Sequence, residues 1–269
     1  MGRIDSMFNG RRSTALICFT VAGDPDMSTS VRIARTLINA GADILELGVP
    51  FSDPVADGPT IQRADIRSLA AGTTPDTVFA IVRELREQSG VPIVLLAYFN
   101  TVFRRGIGQF YRDARAAGVD GILIADMPVE ESGEVLEAAR ENAIDQILLV
   151  AQTTSEKRLE KIAKKAQGFL YLVLVLGVTG ARSSVPQGAF DLVRRVKAVT
   201  DLPVALGFGI STPDHARQVA RSGADAVIVG SAIVDRVEQN LNDHDTMQNK
   251  LGQYVASLRE ALQEPSVER

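Results

Sequence analysis

Glu46, Asp53 and Asp57 lie within one stretch, LELGVPFSDPVADGPTIQ, residues 45–62. It begins as an apolar run and turns into a loop punctuated by Pro50, Pro54, Gly58 and Pro59. Strand alternation turns Glu46 away from Leu45 and Leu47. In a closed barrel that side is the interior mouth, where apolar surroundings raise a carboxyl pKa and suit it to general acid or base work near neutral pH. A Glu tied to an arginine or hydrogen-bonded inside the barrel fits the same position. Asp57 is held in a loop that three prolines restrict to few conformations. Asp53, before Pro54, reads as an Asx-turn former, and Asp57-Gly58 is compatible with a simple turn.

A second chemical signal lies far along the chain. GFGIS (207–211) and VGSAIV (229–234) each follow an apolar run and precede a helical stretch, TPDHARQ or SAIVDRV. Gly207, Gly209 and Gly230 allow close approach of backbone N–H groups to an anion, and helix N-termini favour negative charge. GVTGA (177–181) is placed to close a third side. None of these turns contains Lys or Arg, so backbone dipoles must do most of the binding. Tight turns alone also call for glycine. Carboxylates opposite a phosphate site point to proton transfer on a phosphorylated small molecule, by isomerisation or carbon–carbon cleavage.

The elements that must position these groups repeat. Apolar, β-rich runs occur at 15–21, 43–47, 92–98, 121–125, 146–151, 169–176, 203–207 and 225–230, with amphipathic stretches between them. AGAD, AGVD and SGAD place Gly41, Gly118 and Gly223 as helix terminators ahead of the second, fourth and eighth runs. Pro92 and Pro203 open the third and seventh. Eight near-continuous apolar strands alternating with helices predict a single (β/α)8 TIM barrel over 1–269, with a short extra N-terminal helix and an elaborated loop after strand 2. Chemistry in such barrels sits at the C-terminal ends of the strands.

Composition narrows the classes. With 269 residues, 45% hydrophobic and a net charge of −4, nothing global attracts nucleic acid or anionic lipid. The apolar run from Ala15 to Ala22 is too short to span a membrane, so a cytoplasmic protein is expected. Cys18 stands alone, and His215 and His244 lack ligand spacing, so no metal site is expected.

LELGVPFSDPVADGPTIQ, together with FTVAGDPD (19–26), FNTVF (99–103), IADMPVEES (124–132), GVTGAR, LGFGIS and GADAVIVGSAIV, closely resembles the tryptophan synthase α subunit family from about residue 10 to 240. The resemblance implies a lyase that splits indole-3-glycerol phosphate into indole and glyceraldehyde 3-phosphate. It implies acid/base work at Glu46 and a grip on the indole N–H at Asp57. Phe19, Tyr98, Leu123, Tyr171 and Phe208 would line the pocket, and Thr179 would touch the aspartate from a closing loop. Gly180, Gly209, Gly230 and Ser231 would bind phosphate. The implied partner is a β subunit in an α2β2 heterotetramer. That subunit carries pyridoxal phosphate and receives the indole, while this chain needs no cofactor. Three departures from the family pattern, at Cys18, Gln152 and the apolar 172–176 segment, leave the carboxyl pair intact. Alternatives are another phosphate-binding barrel enzyme, a weakly catalytic or non-catalytic subunit that only activates its partner, and a stand-alone indole producer.

Overall fold

The computed structural model describes residues 2–11, 13–174, 185–207 and 209–263. Eight parallel strands close into a barrel in sequence order: β1 (Ala15–Val21), β2 (Ile44–Gly48), β3 (Ile93–Ala97), β4 (Gly121–Ile124), β5 (Asp145–Ala151), β6 (Leu170–Val173), β7 (Val204–Gly207) and β8 (Ala226–Val229). β1 pairs with β8 and completes the ring. All eight fall on the predicted apolar runs. The third is shorter than expected, because pairing with β4 ends at Ala97 and Tyr98 becomes the N-cap of a helix.

Helices occupy the connections: α1 (Arg3–Phe8), α2 (Met27–Asn39), α3 (Pro59–Ala70), α4 (Pro75–Arg86), α5 (Phe99–Arg105), α6 (Ile107–Ala117), α7 (Gly133–Glu141), α8 (Glu156–Lys165), α9 (Gln187–Lys197), α10 (Pro213–Arg221), α11 (Ser231–Glu238) and α12 (His244–Gln263). The expected elaboration after strand 2 is the loop to Gly58 followed by two helices, α3 and α4. The extra N-terminal helix is α1. It places Ile4, Met7 and Phe8 against the inner cluster at the bottom of the barrel, and Phe8 packs on Phe169 at 6.1 Å.

Strand alternation sorts the core into two shells. Ile17, Ile44, Val94, Leu123, Ile147 and Ile228 belong to the inner one. Leu16, Leu45, Leu47, Leu95, Val227 and Val229 face the helices in the outer one.

The repeated Gly-x-Asp junction does more than end a helix. Gly118 takes the left-handed conformation, φ 99°, as the C-cap of α6. Two residues on, Asp120 accepts the Ile93 amide of β3 at 2.8 Å. Asp43 likewise accepts Leu16 N of β1, and Asp225 accepts Val204 N of β7, both at 2.8 Å. Each aspartate therefore ties the start of its own strand to the preceding strand. Arginines complete the clamps: Arg11 and Arg259 on Asp43, Arg3 and Arg86 on Asp120.

Candidate active site

β2 turns Glu46 inward while Leu45 and Leu47 enter the outer shell. Its neighbours in register are Phe19 on β1 and Val94 on β3. The carboxyl is fully buried, and neither oxygen has a hydrogen-bond partner of ordinary geometry among the described residues. A buried carboxylate without donors is costly, so the group keeps its proton. Burial pushes the Glu46 pKa up to about 8; the charge of Asp57 adds to the shift, and the Tyr171 hydroxyl opposes it. Among the described residues no arginine pairs with Glu46.

Asp57 hangs from the loop above. Its amide donates to Pro54 O at 3.0 Å, and Gln62 Nε2 donates to its carbonyl at 2.9 Å. The Tyr98 hydroxyl donates to Asp57 Oδ2 at 2.7 Å and accepts the Ala56 amide at 3.1 Å. Phe51 stacks on the Tyr98 ring at 5.1 Å. The loop is thus fixed by an aromatic pair as well as by its prolines. Burial raises the Asp57 pKa, and the Tyr98 bond holds it down. Asp53 stands apart, exposed at the loop tip, with its carboxyl taken by Ser52 Oγ at 2.6 Å.

The remaining predicted pocket residues on described positions gather at the same end. Phe19 follows the first strand upward and touches two glycines: a Cβ on Gly48 would stand 2.8 Å from its ring, and one on Gly230 3.2 Å. Tyr171 lies over Gly207, whose missing Cβ leaves the ring its place. That glycine therefore serves an aromatic ring, where the sequence suggested an approach for an anion. Leu123 is buried in the inner shell, below the mouth. Tyr98 is 2% exposed and grips Asp57, a role beyond pocket lining.

The two helix starts differ. Thr212 caps α10 with its own hydroxyl, which accepts the His215 amide, and Pro213 occupies the first turn. Gly230 precedes α11 with no side-chain cap, and Ser231 opens that helix with its side of the mouth exposed. The first N–H groups of such a helix lack carbonyl partners. Gly209, at φ 52°, has no atom within 4 Å of where a Cβ would be. α11 and Gly209 are therefore the open parts of the proposed phosphate end. Gly180, also expected there, and Thr179 and Phe208, expected to line the substrate pocket, lie outside the described residues.

The sequence reading missed Asp65 and Gly48. Asp65 is 4% exposed on α3, within electrostatic reach of Asp57. Its signal was there: it shares the buried arc of α3 with Ala64 and Ser68 at helical spacing. Gly48 could be recognised only once Phe19 was placed across from it.

A closed parallel barrel whose mouth holds a buried, proton-retaining carboxyl beside a second carboxyl defines a (β/α)8-barrel enzyme built for acid–base chemistry. Comparison with known proteins narrows the class. The family model described as tryptophan synthase alpha chain matches residues 6–263. A tryptophan synthase alpha chain from Methanoregula boonei is 61% identical over 264 residues, covering 98% of this chain and all of the relative. The structure of Mycobacterium tuberculosis tryptophan synthase superposes with a TM-score of 0.89 at 37% identity, covering 97% of this chain and 98% of that one. A chain of the Pyrococcus furiosus tryptophan synthase α2β2 complex gives 0.87 at 40% identity, covering 92% and 98%. The chain belongs to the tryptophan synthase alpha chain family.

Proposed function

We propose that the chain is a carbon–carbon lyase of tryptophan biosynthesis that cleaves indole-3-glycerol phosphate to indole and glyceraldehyde 3-phosphate. The observation that carries this reading is Glu46, a buried carboxyl with no ion-pair partner among the described residues, at the mouth of a barrel of this family. Held near a pKa of about 8, it is an acid at neutral pH.

The chemistry follows from that protonation state. Glu46 gives its proton to indole C3, which places a positive charge on the ring nitrogen side. As a carboxylate it then takes the proton from the hydroxyl on the glycerol carbon bonded to C3. The C–C electrons return to the ring, the carbon becomes an aldehyde, and Glu46 ends protonated again. Asp57, held by Tyr98, faces the ring N–H and stabilises the charge that develops there, a preorganised electrostatic contribution. Phe19, Leu123, Tyr171 and Phe208 enclose the ring. Gly209, Gly230, Ser231 and Gly180 take the phosphate through backbone N–H groups, with α11 the uncapped helix. The family resemblance assigns Thr179 a contact with Asp57.

The partner reading is an α2β2 assembly with a β subunit that carries pyridoxal phosphate and consumes the indole. Val55 is 83% and Phe103 62% exposed, on the loop after β2 and the helix after β3. Two bare apolar side chains on the active face favour a protein contact there. We place the enzyme in the cytoplasm; no described helix is long and apolar enough to cross a membrane.

The test is indole release from indole-3-glycerol phosphate, followed with and without a β subunit. Slow release by the chain alone and faster release in the complex are expected. No indole in either case overturns the assignment.

A further inference from the structure

α3 begins where the Asp57 loop ends, and its buried arc carries an acid that the reaction above does not use. Asp65 is 4% exposed, and its Oδ2 has no hydrogen-bond partner among the described residues. Three groups from two connections act on it. The Phe51 backbone amide, at the start of the loop, favours its charged form. Asp57, at the end of the loop, disfavours it, and so does Asp24 on the connection after β1. Arg67 engages Asp24 through two hydrogen bonds of 2.8 Å, and Tyr98 engages Asp57, so neither donor is directed at Asp65. Tyr98 in turn feels the charge of Asp65.

We propose that Asp65 is a positioning residue of the cleavage reaction: a neutral acid that anchors the Phe51 end of the loop while leaving Asp57 the unopposed negative charge beside the ring nitrogen. This inference rests on the reading of Asp57 given above. Two carboxylates in one desolvated site do not both ionise readily. Asp57 has a donor in Tyr98 and partial access to water; Asp65 is more deeply buried and has an orphan oxygen. Asp65 is therefore the one that keeps its proton. Burial, Asp57 and Asp24 push the Asp65 pKa up to about 7. Above that pH a second charge appears behind Asp57, repels it and strains the loop that both groups hold.

Asp65→Asn keeps an oxygen for the Phe51 amide and removes the ionisation. Asp65→Leu keeps the γ-branched shape, with bulkier methyl groups, and removes both. The pH dependence of kcat/KM for indole release separates the cases. D65N is expected to match wild type at pH 6 and to exceed it about tenfold at pH 8, one pH unit past the titration. Only the decline set by Glu46 should then remain in D65N. D65L is expected to raise KM at every pH, and restoration in D65N marks the loop anchor. In wild type, the carboxyl 13C resonance that disappears in D65N is expected to titrate near pH 7, an observation that needs no turnover and survives if D65L fails to fold. A D65N profile parallel to that of wild type from pH 5.5 to 9, D65L with unchanged KM, or a resonance titrating below about pH 5 overturns the proposal. Wild type without indole release sinks the lyase reading instead, and leaves the titration as a separate result.

Discussion

The surroundings of Glu46 and Asp57 favour opposite protonation states, the difference on which the proposed mechanism rests. At Glu46 burial outweighs the Tyr171 hydroxyl and keeps the proton to about pH 8; at Asp57 the Tyr98 hydroxyl opposes the rise that burial causes. For the free enzyme this predicts a bell-shaped kcat/KM, falling on the acid side as Asp57 takes up a proton and on the alkaline side first as Asp65 ionises near 7 and then as Glu46 loses its proton near 8. Replacing Tyr98 by Phe removes the donor that favours the Asp57 carboxylate, so the acid side should move to higher pH. An unmoved acid side in Y98F contradicts the link between these residues. Gly48→Ala should push the Phe19 ring, since the new Cβ would sit 2.8 Å from it, and raise KM more than it lowers kcat. At this scale the sequence was informative where alternation applied: Glu46 between two leucines had to face the interior. Asp57 and Tyr98 lie 41 residues apart, and no local pattern announces their bond. Asp65 was hidden because an aspartate on a helix ordinarily reads as solvated.

The elements are held by devices that repeat with the fold. Asp120 ties the start of β4 to β3 and collects Arg3 and Arg86 around one carboxylate with 5% side-chain exposure. Asp120→Ala leaves a largely buried Arg86 uncompensated and should cost about 3 kcal/mol of stability, read by denaturant unfolding. The same change at exposed Asp53 should cost under about 0.5 kcal/mol. Equal losses at the two positions would show that the junction aspartates are not clamps. All eight strands and the helix-terminating glycines were legible because double-sided burial and the left-handed turn leave strong local marks. The end of β3 was not, since Tyr98 continues the apolar run and only the pairing with β4 shows where the strand stops. The two helix starts of the phosphate end looked alike in sequence. Thr212 caps one of them, a difference that depends on the rotamer and backbone of a single residue.

For the whole molecule, retaining protons on buried acids links function to stability. Glu46 has an ordinary pKa of 4.5 and a folded pKa of about 8, so the folded state holds more protons between those values. Stability then falls as pH rises from about 4.5 to 8 and levels off above, as linkage requires. Asp65 acts in the same direction up to about 7, and Asp145, beside Asp5 and Asp120 at the barrel bottom, up to about 6. Glu46→Gln should flatten this slope and melt higher than wild type at pH 8; an unchanged slope would mean that Glu46 is ionised in the folded protein. The central claim is that one protonated carboxyl on β2, aided by a second in the loop above, breaks the carbon–carbon bond. Indole release from indole-3-glycerol phosphate at pH 7.5 by wild type, Glu46→Gln and Asp57→Asn, each in complex with a β subunit, tests it most directly. Release by wild type and a loss of at least about 10²-fold in both folded variants is the predicted result; substantial cleavage by Glu46→Gln would contradict it.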